Sequence, residues 1–459
     1  MASYSFSNKS KIVPLVKTPH RVINTMIPTP GTDKILERLE CVESRSMHGQ
    51  LPIVWDSAKD FSVFDSAGNK WIDFTSTIFV ANVGHSNDNV CEAIRCTLDK
   101  SILSCYAYGS EIRAKYLEKL ISFSGDSFQK AFLLSAGTEA TEAAFKLMRM
   151  YGKKKKKHHR GVICIEGNWH GRTMGAQMMC NNKEQRDWIG YQDKHIHHIP
   201  FPYPWVLNDK SPEEFLDNGL NKLIDDGVDI ENDICGFMLE TFQGWGALFY
   251  PPEFVKSIEN LCRKYGILLA FDEMQSGFGR TGRAFGFQHY DVSPDLICCG
   301  KGMGGGISLS GVIGRAEIMD LPEVGNMSST HSANPLVCAA GLAVIEEIEN
   351  RNLIAESARK GEILFSILND LKLRFSDRIS DVFGNGLIAA VLFHDPKTRK
   401  PDNIFTSRVA ELCMQKGLLV VHTGRESIKI GPPLTITDIA LIEGLSVLSD
   451  AIDEVSNNN

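Results

Sequence analysis

The sequence predicts an α/β protein whose main domain is a mostly parallel sheet covered by helices. Three observations carry this. Six short apolar runs are separated by longer stretches with helical patterning: AFLL (131–134), GVICI (161–165), ICGFML (234–239), ILLAF (267–271), DLICC (295–299) and SGVIG (310–314). The runs are continuously hydrophobic rather than alternating, as strands buried on both faces are. The chain has 459 residues, more than one core usually fills, so a second domain is expected.

The elements follow in order. Residues up to about 46 are broken by Pro14, Pro19, Pro28, Pro30 and Gly31 and read as irregular. PIVW and KWIDF flank the turn-forming Ser66-Ala67-Gly68-Asn69 and predict a hairpin. After the first apolar run of the sheet, Ala140, Ala143, Ala144, Leu147 and Met148 fall on one helical face. A further helix, over 334–350, leaves the sheet region. Beyond it, short strands such as GLIAAVLF and GLLVV mix with helices. We therefore expect a large domain over 76–335. A smaller α+β domain is expected from both chain ends, 1–75 and 336–459, with a frayed tail at Ser456–Asn459.

Composition narrows the function. Hydrophobic residues make up 43%, charged residues 23%, and the net charge is −7, which excludes the basic footprint of a nucleic-acid-binding domain. Lys153–Lys157, with His158, His159 and Arg160, reads as a solvated connection. The twelve cysteines include no C-x-x-C, so neither a zinc ribbon nor a redox motif is indicated. His195, His197 and His198 lack further ligand spacing and read as loop histidines; no metal is expected. There is no apolar stretch of membrane-spanning length and no signal-type apolar region near the start, so a cytoplasmic protein is expected.

Four motifs follow apolar runs. Ser135-Ala136-Gly137-Thr138-Glu139 opens a helix, where spare N–H groups attract phosphate; a plain helix cap reads the same way. Asp272, in FDEMQ, ends a strand and suits a protonated ring nitrogen; an acidic loop start is the alternative. Lys301 lies among five glycines in CGKGMGGG, where desolvation favours a neutral, nucleophilic amine; an anion-binding or flexible loop is the alternative. Trp169 and Arg172, in WHGRT, offer a stacking aromatic and a fork for a carboxylate or phosphate, or a structural aromatic with a surface arginine. Together they make a phosphate cradle, a ring-nitrogen partner, an amine and an aromatic face, the parts a pyridoxal phosphate site needs. Gly277–Gly282 fits G-x-G-x-x-G, but the acidic residue expected about 20 positions on is missing, so a nicotinamide oxidoreductase is the remote alternative.

Beyond the motifs, the chain resembles the class III, fold-type I, pyridoxal-phosphate-dependent aminotransferases, relatives of ornithine, acetylornithine and 4-aminobutyrate aminotransferases. The residues that carry the resemblance are LLAFDEMQSGFGRTGRAFGFQHYDVSPDLICCGKGMGGG (268–306), SAGTEATEAAFKLMR (135–149), WHGRT (169–173), ETFQG (240–244), THSANPL (330–336) and GPPLTIT (431–437). The resemblance implies a seven-stranded sheet and Lys301 as the Schiff-base residue. It implies Asp272 on the pyridine nitrogen, Gln275 on the ring hydroxyl, and Trp169 and Met274 on the two ring faces. Gly137 and Thr138 would bind the phosphate, and Thr330 would reach the phosphate of a neighbouring subunit, hence a homodimer with shared sites. Substrates would be a small amino donor and a carbonyl acceptor; an aminomutase or racemase shares the same motifs. Two departures bear on the donor. Trp245 stands where glutamate-using members carry a glutamate, and Lys429 where they carry its partner arginine. With Arg172, these are the candidate substrate residues.

Overall fold

The computed structural model describes residues 4–207 and 209–457. Two compact units form. One takes Asp88–Gly244 and Leu248–Ile354; the other takes Met1–Asn87, Trp245–Ala247 and Ala355–Asn459.

The larger unit is built on seven strands: β1 (Lys130–Leu134), β2 (Gly161–Ile165), β3 (Ile196–Ile199), β4 (Ile234–Glu240), β5 (Leu268–Asp272), β6 (Leu296–Cys299) and β7 (Ser310–Gly314). Their order in the sheet is β1-β7-β6-β5-β4-β2-β3. Only β7 runs against its neighbours; the other pairings are parallel. Four helices of this unit matter below: α1 (Asp88–Asp99), α2 (Glu111–Ser124), α3 (Gly137–Lys154) and α4 (Pro335–Asn350). The face of α3 anticipated from its spacing packs on Val162, Cys164, Met238, Ala270, Cys298 and Val312 in one buried cluster. Gly152 is needed there, because a Cβ would stand 2.6 Å from Cys235 Cβ.

Some expectations are corrected. β3, sequence IHHI, is an edge strand paired only to β2. His197 and His198 therefore sit in a strand, not a loop, and burial pushes the His198 imidazole down to about 4 while it bonds the Met179 carbonyl. Helix α4 lies in the larger unit because it packs on α1 and α2. At Gly341 a Cβ would approach the Tyr116 ring to 2.6 Å. The units thus divide at 87/88 and 354/355 rather than at 75/76 and 335/336.

The smaller unit holds two sheets. In one, Ser62–Phe64 pairs with Lys70–Asp73 across the foreseen turn, and Leu418–Leu419 adds to Lys70–Asp73. PIVW itself forms no strand. The other sheet joins Ile379–Asn385, Ile388–Phe393, Ser427–Ile430 and Val421–His422. Ahead of both, Thr32–Val42 is a helix rather than irregular chain, entered through Gly31 at φ +94°. Ser456 and Asn457 close the last helix, Asp438–Asn457; residues 458 and 459 lie outside the described residues. Among the described residues no helix is long and apolar enough to cross a membrane.

Candidate active site

Parallel strands deliver their last residues to one sheet edge, where open α/β sheets bind ligands. At that edge β4 ends in Glu240, β5 ends in Asp272, and β6 leads through Gly300 to Lys301. β1 leads into the first turn of α3 at Gly137 and Thr138, and β2 leads to the loop carrying Trp169 and Arg172.

Lys301 adopts φ +45° and opens a short 3-10 turn after the extended Gly300. Burial lowers its amine below the ordinary lysine value, with Asp272 and Glu240 opposing the shift. Asp272 is buried. One carboxylate oxygen lies 3.0 Å from His170 Nδ1; the other accepts from the Met274 N–H at 3.1 Å. Met274 wedges its sulfur between two backbone segments: a Cβ would come within 2.5 Å of it at Gly300 and 3.0 Å at Gly137. The two glycines let the amine-bearing loop and the start of α3 close around this side chain.

At the α3 N-terminus the Glu139 carboxylate accepts from the N–H groups of Ser135 and Ala136, each at 2.9 Å. The next two N–H groups, of Gly137 and Thr138, open the helix and remain available to an anion. The Thr138 and Thr173 hydroxyls are 2.6 Å apart. Gly171, at φ +140°, passes so close to the Thr138 hydroxyl that a Cβ would clash with it.

Trp169 is part-exposed, and the Arg172 guanidinium stacks 4.5 Å from its ring centroid. Gln275 is half-buried on the segment after Asp272, with its amide close to Gly244. Thr330 lies on an exposed bend. Trp245 and Lys429 belong to the smaller unit. There Arg425 lies over the Trp245 indole at 3.8 Å, and Lys429 is buried with its Nζ 4.5 Å from the Phe79 ring centroid.

Sequence reasoning missed three residues. His170, inside the quoted WHGRT, is fully enclosed against Asp272. Glu240, the last residue of β4, is raised to about 8 by burial and by Asp272. Arg425 had no signal, since only its partner Trp245 marks it. The Gly277–Gly282 segment forms turns, with Gly279 and Gly282 at positive φ, and opens no α-helix; it is no dinucleotide cradle. Among the described residues no group of three or more His, Cys, Asp or Glu could hold a metal.

A desolvated amine, a fixed carboxylate on an adjacent strand and an anion-ready helix start fit pyridoxal 5′-phosphate. The site and the sheet define a fold-type I pyridoxal-phosphate enzyme acting on amino groups. Residues 44–452 match the class III aminotransferases, and the chain belongs to that family; it is a pyridoxal-phosphate-dependent transaminase. It is 35% identical over 399 residues to a probable 4-aminobutyrate aminotransferase of Bacillus subtilis (strain 168), covering 84% of this chain and 89% of the relative. It is 33% identical over 437 residues to a leucine/methionine racemase of Thermococcus litoralis, covering 92% and 96%. An aminotransferase structure from Bacillus anthracis aligns at TM-score 0.83 and 28% identity, covering 93% of this chain and 99% of that one.

Proposed function

We propose that Lys301 carries the cofactor through its ε-amine and moves a proton at the donor's amine-bearing carbon, while Asp272 holds the proton on the ring nitrogen. When bound, the cofactor supplies an electron sink for the pair left at that carbon. Gly137 and Thr138 bind the phosphate, Trp169 and Met274 bracket the ring, and Gln275 meets the ring hydroxyl. Thr330 reaches the phosphate of a second copy, so the enzyme works as a homodimer with shared sites. The observation that carries this reading is the lowered amine of Lys301 at the same sheet edge as the His170-braced Asp272. Lys301→Ala should lose the visible cofactor band and drop turnover roughly 10²–10⁴-fold; unchanged turnover would overturn the assignment.

The donor is an amino acid or primary amine, and the acceptor a keto acid, aldehyde or keto sugar. Relatives named for 4-aminobutyrate support a carboxylate-bearing donor that meets Arg172; Trp245 and Lys429 are the further substrate residues we propose. A half-reaction screen of candidate amines, followed by loss of the visible band, identifies the donor. The racemase relative favours one second reading, racemisation. Keto product formed with an acceptor present supports transfer; inverted donor without keto product supports racemisation. All twelve cysteines are free thiols, which fits a reducing compartment, and we read the enzyme as cytoplasmic.

A further inference from the structure

Glu240 and Asp272 end neighbouring parallel strands and are paired in register. Both side chains are buried, but their partners differ. Asp272 faces the His170 imidazole at 3.0 Å. Glu240 is held by backbone N–H groups, those of Trp169 at 2.9 Å and of Gly244. Two adjacent carboxyls withdrawn from water cannot both ionise cheaply; the N–H groups and Lys301 favour the Glu240 carboxylate, but burial and the neighbouring Asp272 outweigh them.

We propose that Glu240 is a positioning residue that works as a neutral acid. It ties the Trp169 loop and the Gly244 turn to the sheet edge without placing a second negative charge beside Asp272. The proposal rests on Lys301 being the cofactor-bearing residue. Either carboxylate, when ionised, draws the Lys301 amine toward ammonium. A neutral Glu240 removes one of those two pulls, and the amine stays available for bonding. Its release of a proton then falls at mildly alkaline pH, since burial and Asp272 push the carboxyl up to about 8.

Two of the other ionisable groups facing Glu240 titrate well above this transition. Tyr250, beyond the Gly244 turn, is raised well above its ordinary range by burial. The Cys180 thiol, which caps the short helix Met174–Met179, is raised to about 12. Asp272 on β5 and Lys301 after β6 are the two charged neighbours named above, and His170 on the Trp169 loop faces Asp272.

The test is a titration of purified holoenzyme from about pH 6 to about pH 10, read by infrared difference spectra and by the visible cofactor band. Wild type should lose a protonated-carboxyl signal near pH 8, with the visible band moving alongside. Glu240→Gln, which keeps a carbonyl oxygen for the Trp169 N–H but does not ionise, should show neither change. Glu240→Ala leaves the Trp169 and Gly244 N–H groups without their side-chain acceptor and should weaken cofactor binding roughly tenfold, with the Gln variant within about threefold of wild type. Identical transitions in wild type and the Gln variant overturn the proposal, as does a Gln variant that binds cofactor as weakly as the Ala variant. Lys301→Ala separates the two readings. If it keeps the visible band, the assignment of Lys301 fails. If it loses the band while Glu240→Gln titrates as wild type, only the role of Glu240 fails.

Discussion

His170 Nδ1 lies 3.0 Å from Asp272 Oδ2, and both side chains are closed off from solvent. To donate at that distance Nδ1 must carry a proton, which fixes the imidazole tautomer and aims the carboxylate. The second Asp272 oxygen is already taken by the Met274 N–H, so His170 is the side chain that sets the carboxylate's rotation. His170→Phe keeps the ring bulk and removes the bond. A buried group left short of a partner costs about 1–3 kcal/mol, so cofactor affinity should fall roughly 10–100-fold. Equilibrium dialysis of the purified variant checks this, and wild-type affinity would remove His170 from the site.

Lys301 gives a stability test without any substrate. Its folded amine titrates below the ordinary value because of burial. Between that lowered value and the ordinary one near 10.5, the unfolded chain binds more protons, so stability rises with pH across the window. Below the window the cost is present in full; above it the cost is gone. Apo Lys301→Met should therefore melt higher than apo wild type at neutral pH, with the gap narrowing as pH approaches 10.5. A gap that is absent or widens with pH would mean the amine is not strained by burial.

Much of this was legible in the sequence because strands buried on both faces leave continuous apolar runs, and because the chemistry sits at their ends. Six of the seven sheet strands were marked this way. β3 was not: unlike AFLL at the opposite edge of the sheet, IHHI carries two polar side chains on its half-solvated strand. The helix Thr32–Val42 was hidden by the prolines before it, and only the left-handed Gly31 turns the chain into it. Lys301 and Asp272 stood out by their strand ends. His170 and Glu240 did not, since each matters through the partner it meets across the sheet edge, and pairing between distant segments has no local signature.

Proton counting constrains the phosphate end of the site. Glu142 Oε1 accepts from the Thr173 hydroxyl at 2.6 Å and from the Gly175 and Ala176 N–H groups. Thr173 has one hydroxyl proton, and it is spent there. Thr138, 2.6 Å from Thr173, must donate its own proton to Thr173. Residue 138 then serves an anion through its backbone N–H rather than its hydroxyl. Thr138→Val should accordingly weaken cofactor binding less than about tenfold. A larger loss, measured by dialysis and retitration with pyridoxal phosphate, would show that the hydroxyl turns toward the phosphate.

The proposed substrate residues Trp245 and Lys429 give a test of donor choice. In glutamate-using members that the chain resembles, a glutamate pairs with an arginine at the places of Trp245 and Lys429. Here Arg425 rests on the Trp245 indole at 3.8 Å, and the Ser427 hydroxyl holds the Trp245 carbonyl at 2.8 Å. Lys429 is buried with its ammonium against Phe79. An ammonium is a point charge, whereas a guanidinium grips a carboxylate through two parallel bonds. The planar fork is thus missing at 429; at 425 a guanidinium stacks on the indole, worth about 0.5–1 kcal/mol at an exposed site, while its Nε and Nη2 hold the adjacent Glu426 carboxylate. Glutamate should be a poor donor, and Lys429→Ala should change its turnover little. Trp245→Glu combined with Lys429→Arg restores the pair and should raise kcat/KM for glutamate at least roughly tenfold, the worth of one charged hydrogen bond. Arg425→Ala should instead raise KM for the preferred donor by several-fold. Steady-state kinetics on a donor panel decide it: strong glutamate turnover by wild type that vanishes in Lys429→Ala would mean that the lysine simply replaces the arginine.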